Sequence, residues 1–259
     1  MIPEIDESRA PLMDHLIELR KRLIWSFLAL GVAFAICFYF ATYIIAFLAQ
    51  PLAEAFGHNQ GRLIYTKLYE AFFVQVKVSV FAAFFLAFPI IANQLWAFVA
   101  PGLYAKEKRA FLPFIIATPI LFTMGGALAY YMVMPAAFHF FLKFEGDIGG
   151  IKQEALPAIG DYLSLVMQFI MAFGIAFLLP ILLMLMERAG LVTRTQLKRG
   201  RRYAILIAFV VAALATPPDV ISQCMLAIPL IMLYEISLVA IWFTERRRAK
   251  EVAAASTPA

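Results

Sequence analysis

Leu23 opens a run that continues to about residue 45 without one charged side chain, and three cations, Arg20, Lys21 and Arg22, stand directly before it. A hydrocarbon core takes about 20 apolar residues to cross. Inside it the backbone must satisfy its own polar groups, so such a run is read as a helix. The same test finds five further spans, giving about 24–45, 72–98, 111–134, 162–186, 204–216 and 222–243. The fifth is short. Its stretch from Ala204 to Thr216 reaches about 20 Å at 1.5 Å per residue, then meets Thr216-Pro217-Pro218-Asp219, a hard stop. Spans five and six therefore form a tight hairpin.

The expected fold is an all-α polytopic membrane protein of six helices over a single domain, 1–245. A basic and then disordered tail follows over 246–259. Composition agrees: 63% of the 259 residues are hydrophobic and 15% charged, with mean hydropathy +0.83, against about 45–50% and about 25% in soluble domains. Pro89, Pro113, Pro119, Pro180 and Pro229 lie inside spans and predict kinked helices. Two long segments, 46–71 and 135–161, predict loops that pack as a cap over one face.

Charge sets the expected orientation. With the N-terminus, 99–110, 187–203 and the C-terminal tail on the cytoplasmic side, that side holds 17 of the 22 Lys and Arg. Both termini are then cytoplasmic. The net charge of +5 reflects this bias rather than nucleic-acid binding.

Phosphate-binding loops, a nucleophile elbow, a His-Glu-x-x-His pair and a dinucleotide fingerprint are all missing from the sequence. Cys37 and Cys224 have no partner spacing, and His15, His58 and His139 are scattered. The sequence thus predicts no enzyme, no cofactor and no metal site. A gradient, a substrate or a partner must drive such a chain.

Polar residues in unusual places carry the remaining signal. Glu235 falls well inside span six, where it is either a functional acid or a neutral one bonded to a neighbouring helix. Gln94, Gln168 and Gln223 read as interhelical glue more often than as a pathway. Near the N-terminus, Leu12, Leu16, Leu19 and Leu23 form one greasy stripe of a surface-lying helix that begins at Pro11. Glu18 falls off that stripe, with Arg22 one turn on as an i,i+4 partner. Glu107 likewise sits in a short basic segment, Tyr104-Ala-Lys-Glu-Lys-Arg109. Two acids set among cations on one membrane face suggest a two-pronged receptor for cations. A secondary transporter coupled to protons through Glu235 is the alternative, although no internal repeat supports it.

The chain resembles the TatC family, the multispanning subunit of the twin-arginine protein translocase. The resemblance rests on His15-Leu-Ile-Glu-Leu-Arg-Lys-Arg-Leu23, Gln94-Leu-Trp-Ala-Phe-Val-Ala-Pro-Gly-Leu-Tyr104 with Glu107, Met171-Ala-Phe-Gly174, Thr216-Pro-Pro-Asp-Val-Ile-Ser-Gln223 and Ala227-Ile-Pro-Leu230, in family order. It implies export of folded proteins on the proton-motive force from a bacterial inner membrane. It also implies signal-peptide binding by Glu18 and Glu107, with Arg20 and Phe98 beside them. Pro51, Asp219 and Gln223 match functional positions at the outer side. Ala213, Leu214 and Thr216 match the surface that meets TatA- and TatB-like single-span subunits. Leu178 departs from the pattern, since many members carry Glu or Gln there.

Overall fold

The computed structural model of the chain describes residues 9–57, 62–103, 112–215 and 220–255. Within them the chain is almost wholly helical. Its elements are α1 (Arg9–Tyr39), α2 (Ala41–Phe56), α3 (Glu70–Leu103), α4 (Leu112–Leu128), a π-helical turn (Ala129–Val133) and α5 (Met134–Leu142). A small hairpin, β1 (Gly146–Ile148) and β2 (Ile151–Gln153), leads into α6 (Ile159–Ala176), α7 (Leu179–Arg188), α8 (Arg194–Arg199), α9 (Arg201–Ala215) and α10 (Val220–Ala255).

Among the described residues, five stretches are long and apolar enough to cross a membrane: His15–Tyr39, Glu70–Phe98, Pro113–Leu142, Ile159–Arg188 and Ser222–Arg246. The remaining expected span falls on α9. At 15 residues it reaches only about 22 Å, short of an average hydrocarbon core.

Several expected boundaries move. α1 runs through the basic cluster without a break, so the surface-lying segment and the first span are one helix. That helix turns at Phe40, and α2 then carries helical backbone past Pro51 to Phe56. The expected loop 46–71 is thus half helix. Likewise α5 reaches Leu142, and much of the expected loop 135–161 is the β-hairpin. Gly149 and Gly150 form its two-residue turn, both at positive φ (66° and 90°), which a right-twisted hairpin needs and side chains resist. The π-helical turn ends at Met134, whose amide donates to Ala129 O, five residues back. Pro135 follows, and a wider turn relieves the clash that its ring makes with the preceding turn. Pro180, expected to kink its span, breaks it instead: α6 ends at Ala176, and Pro180 lies in the first turn of α7. α10 continues to Ala255, past Lys250, where composition alone suggested a disordered tail.

The contacts divide into two compact units. One holds residues up to Ala49 with Tyr65–Pro119, and the other holds Gln50–Ile64 with Ile120–Ala259. In the first, α1 and α3 pack through small residues. Ala33 and Cys37 meet Ala83 and Ala87, one turn apart on each helix, with Leu30, Phe34 and Ile44 around them. Such small side chains let two backbones approach closely in lipid, where dispersion and not water exclusion holds helices together. Trp96 adds a polar tie, its Nε1 donating to Thr118 Oγ1 at 2.8 Å.

In the second unit α4 crosses α6 at closer range. A Cβ on Gly125 would lie 2.4 Å from the Phe173 carbonyl oxygen, and one on Gly174 would lie 2.8 Å from the Phe122 ring. Phe122, Phe169, Phe173, Met134 and Leu163 are fully buried around this crossing. A second core joins Leu183 of α7, Leu197 of α8 and Tyr234, Leu238 and Ile241 of α10. Thr193 and Gln196 form a capping box that starts α8, a signal legible in the sequence as Thr-x-x-Gln. The Tyr234 hydroxyl donates to Leu197 O at 2.7 Å and fixes α8 on α10.

Candidate functional site

In the first unit α1 and α3 run antiparallel, so the start of α1 meets the end of α3. The His15 imidazole stacks on the Phe98 ring, with centroids 4.3 Å apart and planes 18° from parallel. One turn further along α1, Glu18 borders a cavity of about 360 Å³ lined by Glu18, Lys21, Arg22, Trp25 and Gln94. A neighbouring hollow of about 260 Å³ is lined by Ile17, Arg20, Lys21, Ile24 and Trp25.

Glu18 makes the i,i+4 ion pair that its spacing predicts. Arg22 Nε donates to Glu18 Oε1 at 3.0 Å, and Arg22 Nη2 donates to the same oxygen. Both donors converge on Oε1. The carboxylate is about one-third exposed, so Oε2 is left to accept from an incoming donor. A carboxylate can take a planar guanidinium through two parallel bonds, which a lysine ammonium cannot reproduce. Trp25 supplies an aromatic wall, and Gln94 a neutral amide. The cavity thus sets one half-buried carboxylate, already paired with Arg22, among Lys21, an aromatic wall and a neutral amide.

The structure therefore gathers Glu18 and Gln94 around one cavity and puts Arg20 and Phe98 close by on the same pair of helices. Gln94 lines the cavity, a place its sequence position alone did not assign. Trp25 and His15 were not singled out as site residues. A Trp three residues beyond a basic cluster was the available signal. Glu107, Thr216 and Asp219 lie outside the described residues. Pro51 is buried within α2, Gln223 is half-buried in the first turn of α10, and Gln168 is exposed on α6. Ala213 and Leu214 are exposed near the end of α9, Leu214 by 79%. Leu178 sits in the break between α6 and α7, donating its amide to Ile175 O.

Glu235 has a different setting from the one expected. Arg201 Nη2 donates to its Oε2 at 2.7 Å, and the two side chains are 50% and 44% exposed. Arg201 is the first residue of α9, so Glu235 lies level with the polar start of a short helix. It is an ion-pair partner and not a lone acid in apolar surroundings.

Long apolar helices and small-residue packing define a multi-pass membrane protein, with a charged cavity where the start of α1 meets the end of α3. Residues 14–229 match the family described as Sec-independent protein translocase protein (TatC). A protein of that description from Magnetococcus marinus is 52% identical over 248 residues, covering 96% of this chain and 90% of the relative. One from Aquifex aeolicus is 41% identical over 230 residues, covering 88% and 93%. Two crystal structures described as the twin-arginine translocase receptor TatC superpose with TM-scores of 0.74 and 0.77. They share 39% and 40% identity with this chain, cover 88% and 87% of it, and are each covered to 98%. The chain belongs to the TatC family and is a component of a protein translocase.

Proposed function

We propose that this protein is the receptor subunit of a twin-arginine translocase, binding the arginine pair of a signal peptide with Glu18 and Glu107. The observation that carries this reading is the Glu18 carboxylate: it borders a cavity, is one-third exposed, and takes both guanidinium bonds of Arg22 on one oxygen. Arg20 and Phe98 stand beside that cavity and would line the path of the bound peptide. Two acids on different segments read a pair of arginines, whereas total charge would not distinguish arginine from lysine.

On this reading α9 is the fifth of six spans, and both termini are cytoplasmic in a bacterial inner membrane. The exposed end of α9 at Ala213 and Leu214, together with Thr216 next to it in sequence, docks TatA- and TatB-like single-span subunits. Pro51, Asp219 and Gln223 act at the outer side. Folded cargo crosses on the proton-motive force. The pairing of Glu235 with Arg201 removes the lone intramembrane acid on which a small-solute transporter reading rested.

The test is photo-crosslinking of a twin-arginine signal peptide to the full protein in membranes. Glu18→Ala and Glu107→Ala should each weaken crosslinking by about ten- to hundredfold, since one charge-assisted bond contributes about 1.5–3 kcal/mol. Wild-type crosslinking in the double variant would sink the reading.

A further inference from the structure

The far end of α10 carries a charged cluster that the signal-peptide site does not use. Two guanidiniums approach the Trp242 ring, that of Arg194 at 5.8 Å and that of Arg246 at 5.4 Å from its centroid. Among the described residues Glu245 pairs with the first of them, its Oε2 3.8 Å from Arg194 Nη1. Two cations against one acid leave a surplus of positive charge. An anion placed at Arg194 and Arg246 meets that surplus charge.

An apolar track leads to this cluster. Ile228, Met232, Ile236, Val239 and Phe243 recur every three or four residues, so they share one face of α10, and all five are 51–59% exposed. The track is about 22 Å long at 1.5 Å per residue. Arg246, three residues beyond Phe243, is exposed on the same face and ends the apolar stretch Ser222–Arg246. Tryptophan is favoured where a membrane-crossing helix meets the headgroup layer. A soluble anion would need the cations alone; the track below them accounts for an acyl chain.

We infer that Arg194, Trp242 and Arg246 form a binding site for the phosphodiester of an anionic phospholipid, with an acyl chain lying along Ile228–Phe243. Glu245 orients Arg194 and tempers the charge, which matches the site to a single net negative charge and disfavours a zwitterionic headgroup. The site is separate from the signal-peptide reading and does not depend on it.

Native mass spectrometry of the detergent-solubilised full chain, titrated with phosphatidylglycerol or phosphatidylcholine, tests the inference. The wild type should bind phosphatidylglycerol about tenfold more tightly, because each interfacial cation adds to the attraction for anionic lipid. Arg194→Gln/Arg246→Gln should remove that preference, and Lys198→Gln/Arg199→Gln, at exposed cations of α8, should leave it intact. Equal loss in both pairs would overturn the site in favour of diffuse charge attraction. Displacement of the lipid by inorganic phosphate in excess would overturn the lipid in favour of a free-phosphate site. If the first pair fails to fold, Arg246→Gln alone decides: an unchanged preference in that folded variant refutes the inference.

Discussion

Single residues separate what chain position reveals from what only the fold can supply. Glu18 was legible because an acid among cations, with an arginine four residues on, implies a helical ion pair, and the pair forms. Glu235 was not, because its partner Arg201 lies 34 residues away and meets it only through the register of α9 on α10. The pairing alters what substitution should do. Glutamine at 235 keeps a side-chain oxygen that can still accept from Arg201 Nη2. Glu235→Gln should therefore leave the melting temperature in detergent nearly unchanged. Glu235→Lys should lower it, since it sets a second cation against Arg201. The double variant Arg201→Glu/Glu235→Lys, which restores opposite charges, should recover most of the loss in a double-mutant cycle. Failure of the swap to recover stability would mean that the two groups do not act as a pair.

Helices and turns were legible only in part, even where one local rule governs them. Pro180 was legible as a disruption of its span, whereas the Gly149-Gly150 turn and the Thr193-x-x-Gln196 cap obey rules just as local and were passed over, 135–161 being expected as a loop. α2 was missed because hydropathy falls near Pro51 although the backbone stays helical. Close packing was equally hidden, since no local rule pairs Gly125 with Phe173. That contact makes a graded prediction. Gly125→Ala puts a methyl against a backbone carbonyl that cannot yield, and should cost about 1–3 kcal/mol, read as a lower melting temperature. Gly174→Ala meets only the Phe122 ring, which can turn aside, and should cost less. The reverse order would show that the α4–α6 crossing is looser than its geometry implies. α9 supports a second expectation at this scale. A cysteine at exposed Leu214 should form a disulfide with one near the outer end of a partner subunit's single span, whereas one at buried Ala208 should not. Equal yields from the two positions would remove α9 as the docking helix.

Across the whole chain, hydropathy made the apolar stretches legible but left the division into two compact units unseen, because such a division depends on contacts between distant segments. Orientation is a separate property, carried by charge. Placing 17 of 22 basic residues on one side requires an even number of crossings between the termini. With five helices long enough to span, that condition holds only if α9 also crosses. A helix of about 22 Å can do so where neighbours shelter its ends or the bilayer thins around it, at a cost of fractions of a kcal/mol per Å of mismatch. Orientation and the status of α9 are thus tested together. In otherwise cysteine-free protein in intact cells, single cysteines at positions 60 and 148 should react with an impermeant maleimide added outside, and cysteines at 106, 196 and 252 should not. Labelling at 252 but not at 196 would leave the first four crossings intact and show that only one of α9 and α10 spans the membrane. Labelling at 106 and 196 but not at 60 and 148 would invert the protein, and with it place Glu18 on the side opposite to any signal peptide awaiting export.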